Sequence, residues 1–398
     1  MVKQIKVVVG ANFGDEGKGL MTDYFCHELS QTGSVLNIRH NGGAQAGHTV
    51  VLPDGKRHVF SHFGSGSFVP HVATYLSQDF ILNPMLFCRE LERLKNKFGL
   101  MPRVFINPYC RLTTPYDMLI NQIAERSRGD ARHGSCGLGI NETVVRNERI
   151  RTDIGLFASN PALLSHLVAT LIYLRKEYVP SRLKQLGVEN ISIEDMNLIE
   201  SDIVLENWMT QLTEMLNYCT IAGDEILDNY DGLVFEGAQG LLLDNDCKAF
   251  APHLTTSKTG SFNPKNILAR MSMQDRDIEF CYVTRSYFTR HGAGKFPSEC
   301  EKSVILPEDV VDKTNHFNEF QREFRYGYFD EYLFENTTEK DLLYRHCDFS
   351  KARYTRAVTH LDETDGKLIG HDGKELSFPS GTRYRSYGET RNDVHCLR

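Results

Sequence analysis

Residues 10–19 read Gly-Ala-Asn-Phe-Gly-Asp-Glu-Gly-Lys-Gly. A glycine-rich turn between a strand and a helix aims backbone N–H groups at an anion. Gly14, Gly17 and Gly19 supply such a turn, and Lys18 reaches toward the same phosphates. The segment is not a Walker A loop. Asn12 stands where the first glycine belongs, and Gly19 replaces the Mg²⁺-binding Ser/Thr. Asp15 and Glu16 place negative charge inside what would be a phosphate cradle. Such charge is tolerable where one carboxylate binds Mg²⁺ or takes a proton from the substrate. Otherwise the segment is a solvated turn with two surface charges.

Two further segments carry groups of the same kind. Asn41-Gly-Gly-Ala-Gln45-Ala-Gly47-His48-Thr49 is dense in glycine, which lets backbone approach a ligand closely. His48 is a candidate acid within it. Phe235-Glu-Gly-Ala-Gln239-Gly240 is a third strand-to-glycine turn. It places the Gln239 amide at a carboxyl strand end, where open α/β sheets bind ligands.

The elements that must position these groups follow from periodicity. Ile5–Gly10 is a β-branched run ending in glycine, hence a buried strand. Gly17–Leu29 has helical spacing, and Ser34–Arg39 is a second strand. Strand, glycine turn, helix, strand is a βαβ start and predicts a parallel sheet. Helices are expected at Pro84–Asn96 and Pro115–Ser127, with strands at Arg103–Ile106, Gly232–Glu236, Ile278–Thr284 and Tyr354–Thr359. Residues 129–150 read as a loop, and Gly370–Gly373 as a hairpin turn. Residues 161–218 read as mostly helical, broken near Pro180 and Gly187. The expectation is an α/β fold, one domain over 1–398, with a mainly helical insertion at about 155–225.

Composition bounds the classes. The chain has 398 residues, 41% hydrophobic and 24% charged, an ordinary globular balance. A net charge of -7 argues against nucleic acid or a membrane surface as partner. No apolar run approaches the roughly 20 residues of a membrane span. The ten cysteines contain no C-x-x-C pair, and no signal peptide is read at the N-terminus. They are expected to be reduced thiols in a cytoplasmic protein.

Taken together, the three glycine segments resemble the adenylosuccinate synthetase family. That family carries Gly-Asp-Glu-Gly-Lys-Gly, Asn-Ala-Gly-His-Thr and Phe-Glu-Gly-Ala-Gln-Gly in this order. Here they stand as Gly14–Gly19, Gln45–Thr49 and Phe235–Gly240. Thr289-Arg-His-Gly-Ala-Gly-Lys-Phe-Pro-Ser-Glu299 is similar to the family's Thr-Arg-Val-Gly-x-Gly-Pro-Phe-Pro-Thr-Glu. Weaker matches are Pro252-His-Leu-Thr255-Thr-Ser, Asn318-Glu-Phe320, Thr359-His-Leu-Asp362 and Ser386-Tyr-Gly388-Glu-Thr-Arg.

The resemblance implies a mostly parallel sheet with a nucleotide site like that of P-loop GTPases. It implies condensation of IMP with L-aspartate to adenylosuccinate, using GTP and Mg²⁺, through a 6-phosphoryl intermediate. Asp15 would be the base and a metal ligand, with the Gly47 carbonyl completing the metal shell. His48 would act as acid on the transferring phosphoryl group, and Gln239 would contact the nucleotide in the catalytic centre. Gly14, Glu16, Gly17, Lys18 and Gly19 would hold phosphates. Gln45, Thr49, Thr255, Ser386 and Gly388 would complete the nucleotide sites. A homodimer is implied, because the family's site borrows an arginine from a second subunit.

Four departures bear on specificity. The family's Gly-Thr-Thr-x-x-Gly-Ile-Gly-Pro becomes Gly134-Ser135-Cys136-Gly137-Leu138-Gly139-Ile140, leaving Ser135 for the 5′-phosphate and Arg146 as the nearest cross-subunit arginine. Gln45 replaces an Asn. After Phe320 the family's threonine- and arginine-rich loop is missing, leaving Arg322 and Arg325 to hold the amine donor's carboxylates. His360 replaces the Lys before the guanine-reading Asp362, so GTP is favoured and ATP stays open. Also open are a paralogue acting on GMP, dGMP or another amine, and a nucleotide-binding regulator without turnover.

Overall fold

The computed structural model describes residues 3–129, 134–153, 162–310, 324–343, 349–371 and 373–397. Among them, ten strands form one sheet. From one edge to the other they run Val394–Cys396, Thr382–Ser386, Arg353–Thr359, Asp277–Arg285, Gln4–Gly10, Gly232–Gly240, Val35–Arg39, Ala73–Leu76, Val104–Ile106 and Thr220–Ile221. Every neighbouring pair is parallel except the last at the C-terminal edge, where Val394–Cys396 runs antiparallel to Thr382–Ser386. The N-terminal strand lies inside the sheet, in register with Gly232–Gly240 on one side and Asp277–Arg285 on the other. Ile5, Val7, Val8 and Val9 are completely buried, as a parallel strand covered on both faces requires.

Pro115–Ser127 is a helix at the expected bounds, opened by Pro at its first turn and by a capping box between Thr114 and Asp117. Pro84–Phe98 begins on an Asn83 cap and ends on Gly99 at φ 67°, a left-handed C-terminal cap. The expected break near Pro180 takes another form. The Ala162–Tyr173 helix runs into a π turn, Leu174–Tyr178, and then into Val179–Gln185. Proline has no N–H and crowds the carbonyl four residues before it, and a widened turn absorbs both defects without stopping the helix. The later helices Ile193–Glu200 and Asp202–Tyr218 cover the far end of the sheet. Trp208 is wholly buried there, and its indole N–H donates to the Thr113 carbonyl at 3.0 Å.

The 129–150 segment contains a helix that periodicity did not show, Ile140–Asn147. Its Ile140, Thr143 and Arg146 fall on one buried face. Gly370 and Gly373 do form the turn of a two-stranded hairpin, Leu368–Ile369 with Glu375–Leu376. No helix among the described residues is long and apolar enough to cross a membrane.

Candidate active site

Five adjacent parallel strands deliver the site. Loops leave the carboxyl ends of Val35–Arg39, Gly232–Gly240, Gln4–Gly10, Asp277–Arg285 and Arg353–Thr359, which are consecutive in the sheet. Ligands of open α/β sheets bind at this edge. A cleft of about 560 Å³ opens there. It brings together Asp15, Gly17, Lys18, Gly19, Gly47, His48, Thr49, Asp362 and Gly388 of the expected residues. Arg57, Arg285 and Glu363, which the motifs did not single out, share the lining, as does His360, which stands in place of the family's Lys.

The phosphate loop is built around Glu16. The Asn12 and Gly14 N–H groups donate to its Oε1 at 3.0 and 2.8 Å, and Lys18 Nζ donates to its Oε2 at 2.5 Å. Glu16 is only 1% exposed. Its carboxylate therefore fixes the loop floor and balances Lys18, where the sequence suggested a phosphate contact. The packing leaves no space: a Cβ on Gly10 would lie 2.5 Å from Glu16 Oε2 and 2.8 Å from the Gln239 carbonyl. Helix Lys18–Ser30 starts on Gly17 at φ 89°, with no side-chain cap. Its first N–H groups thus remain for an anion.

His48 opens a hairpin, His48–Val51 with Arg57–Phe60. Its Nδ1 lies 2.5 Å from Glu236 Oε1, and Ser65 donates to the same carboxylate through N–H and hydroxyl. Glu236 thus holds the tautomer with Nδ1 protonated and leaves Nε2 for the cleft. That Nε2 finds no partner among the described residues. Burial pushes the His48 pKa below its ordinary value, against the pull of Glu236. Burial would likewise raise Glu236, but the Arg39 charge and the His48 bond bring it down to about 2. Gln239 stands at φ 57° beside Gly42, and its Oε1, like that of Gln45, is buried without a partner. Two orphaned amide acceptors are what a bound ligand would satisfy.

Asp15 also has a left-handed backbone, φ 60°. Its carbonyl accepts from Arg285 Nε at 2.5 Å, and its Oδ2 lies 3.0 Å from His291 Nε2. Burial alone would raise its carboxyl. The bond and charge of His291, with Arg285 and Lys18, outweigh burial and hold it well below the usual carboxylate range. An ionised carboxylate and the Gly47 backbone in one cleft are hard oxygen donors. They fit a Mg²⁺ ion that takes the rest of its shell from phosphates and water.

At the other end of the cleft the Asp362 carboxyl is pushed up by burial and then by Asp393 and Glu389. Acidic acceptors gathered here suit a base that offers N–H donors. Arg285 links the two ends: it donates to Tyr287, whose hydroxyl donates to Glu363. Thr359 donates to the Glu16 carbonyl at 2.8 Å and so ties the base-reading turn to the phosphate loop.

Other expected residues are placed elsewhere. Ser135 accepts from Asn121 beside the Pro115–Ser127 helix. Thr255 donates its backbone N–H to the Leu243 carbonyl and lies outside the cleft lining, as do Gly14, Gln45 and Gln239. Ser386 is buried and donates to the Gly388 carbonyl, holding the turn that lines the cleft. Arg146 corrects the expectation of a reach across subunits. It is wholly buried, forks onto Asp117 at 2.8 and 2.9 Å, and donates to the Leu112 and Ile150 carbonyls of its own chain. Arg325 is also committed: Glu299 takes its Nε and Nη2, and the Gly292 and Gly294 carbonyls take Nη1. As placed, it has no fork to offer an amine donor. Arg322, with Asn318–Phe320, lies outside the described residues.

A family model for adenylosuccinate synthetase matches residues 7–346. The adenylosuccinate synthetase of Tolumonas auensis is 26% identical over 94% of this chain and 81% of its own. That of Legionella pneumophila strain Lens is 28% identical over 94% and 82%. A fully ligated adenylosuccinate synthetase from Plasmodium falciparum superposes with TM-score 0.70 at 18% identity, covering 99% of this chain and 100% of its own. The succinoaminodeoxyadenylate synthetase of cyanophage S-2L, bound to dGMP and to dATP as an energy donor, superposes at 0.62 and 14% identity, covering 100% and 96%. With a motif order, a sheet and a family match that agree over most of its length, the chain belongs to the adenylosuccinate synthetase family, ligases that form a C–N bond using GTP.

Proposed function

We propose that this enzyme condenses IMP with L-aspartate at the expense of GTP. The observation that carries the reading is one cleft holding two acid–base groups, each with its own orienting partner: Asp15 with His291, and His48 with Glu236. A purine 6-oxygen is a poor leaving group. Asp15 takes the N1 proton, and the 6-oxygen becomes nucleophilic enough to accept the γ-phosphoryl group. With Nδ1–H held by Glu236, His48 takes a proton at Nε2 as the phosphates bind and donates that N–H to the group in transfer, stabilising its charge. The amine then attacks C6 and phosphate leaves. Asp15 and the Gly47 carbonyl would hold a Mg²⁺ ion, which would supply neutralisation of the charge that develops on the phosphates. Asp362 favours guanine, whose N1–H and N2–H groups it can accept; adenine has no such pair. The active form is a homodimer.

A second reading has one observation in its favour. Arg325 is spent on Glu299, so the shortened loop has less charge for a dicarboxylic donor. A purine nucleotide such as GMP or dGMP, or a different amine, is the alternative. Phosphate release from GTP or ATP separates the two, measured with IMP, GMP or dGMP and with or without aspartate. Release that needs both IMP and aspartate, and is faster with GTP, is the expected outcome. Release with GMP or dGMP alone, or without need of aspartate, contradicts it.

A further inference from the structure

The strand Phe288–His291 delivers to Asp15 a side chain that the phosphate loop does not itself contain. The strand pairs with Phe324–Gly327, so that His291 stands opposite Phe324. The two rings lie 4.7 Å apart between centroids. That packing fixes the imidazole plane, and Nε2 falls 3.0 Å from Asp15 Oδ2. Both side chains are 26% exposed, so the pair is not in the core; Asp15 lines the cleft and His291 stands outside the lining. In the motif Thr-Arg-Val-Gly, Val occupies this position, and an apolar side chain offers a carboxylate nothing. The Asp15 backbone is separately held by Arg285.

A carboxylate on a loop has a broad, nearly two-fold torsion about its last bond. Reaction requires one oxygen aimed in one direction, and misplacement by about 1 Å can cost on the order of 10²-fold in rate. We propose that His291 is a positioning residue for Asp15. Its Nε2–H donates to Oδ2, locks the torsion, and leaves Oδ1 for the proton and metal chemistry of the cleft. The proposal rests on the reading of Asp15 given above, and it names a residue through which this chain sets the aim of its base.

The test uses the full-length enzyme with His291→Val, His291→Gln and Asp15→Asn. Gln keeps a donor at comparable reach; Val keeps bulk without one. His291→Val is expected to lower kcat by about tenfold or more while the KM for the amine donor stays put, and His291→Gln to recover most of the loss. Equal losses in both variants, or none in either, overturn the proposal. A readout independent of turnover is the ¹⁵N spectrum of the imidazole. Nε2 protonated in the wild type, with a resonance that moves in Asp15→Asn, is expected. Nε2 unprotonated, or unmoved by that change, overturns it. Should the wild type turn over no purine nucleotide, the functional reading fails separately, and the spectrum alone decides whether His291 holds Asp15.

Discussion

The side chains nearest the chemistry act in pairs, and the pairs explain what single residues could not. Asp15→Asn keeps the shape of the side chain but loses the base. It is expected to cost about 10²–10⁴-fold in turnover while the thermal midpoint stays within the wild-type range; near-normal turnover would remove Asp15 from that role. Arg325 leads to the opposite expectation. Its guanidinium is closed by Glu299 and two carbonyls. Arg325→Ala should therefore lower stability by about 1–2 kcal/mol in denaturant titrations and leave the KM for the amine donor unchanged. A raised KM would show that Arg325 leaves Glu299 to bind substrate. Asp15, Lys18 and His48 were legible from residue type and spacing, because strand, glycine turn and helix fix where such groups must stand. Their partners were not. Glu236 meets His48 across 188 residues of chain, and His291 stands far along the chain from Asp15, although the strands that precede them, Asp277–Arg285 and Gln4–Gly10, are neighbours in the sheet. Glu236 was within a quoted motif, but nothing in the motif says which side chain its carboxylate faces.

At the scale of elements, β-branched runs and capped helices were readable, since burial on both faces and terminal capping leave strong local signals. Ile140–Asn147 was not, because its helix depends on Arg146 forking onto Asp117 of another helix, a tertiary contact inside a glycine-rich stretch. The hairpin that carries His48 was missed because its strands are short, pairing with each other and bridging Thr390 through Val51. The first helix holds a further long-range tie. Asp23 is wholly buried, 3.0 Å from Arg391 of the C-terminal segment. Burial raises its carboxyl to about 7, Arg391 pulling it down and Glu236 pushing it up. The folded value lies above the unfolded one of about 3.9, so the folded state binds more protons between the two. Stability contributed by this group therefore falls as pH rises from about 4 to about 7, by up to roughly 4 kcal/mol. Melting curves of wild type and Asp23→Asn should show the wild type losing ground to the variant across that window. A difference that stays flat with pH would contradict the buried, raised carboxyl.

For the whole molecule, chain segments at the carboxyl ends of Gln4–Gly10, Val35–Arg39, Asp277–Arg285, Arg353–Thr359 and Thr382–Ser386 meet in one cleft, and a subunit interface is expected to complete it. Light scattering at micromolar concentration should report twice the chain mass. A fully active monomer would refute the shared site. With Asp15 and His48 in these roles, the purine 6-oxygen becomes a phosphate leaving group within this cleft. IMP labelled with ¹⁸O at position 6 tests it directly, with GTP, Mg²⁺ and aspartate present. The phosphate released should carry the label, and the purine product should have lost it. Unlabelled phosphate, with the label retained on the purine, would show simple GTP hydrolysis and contradict the claim.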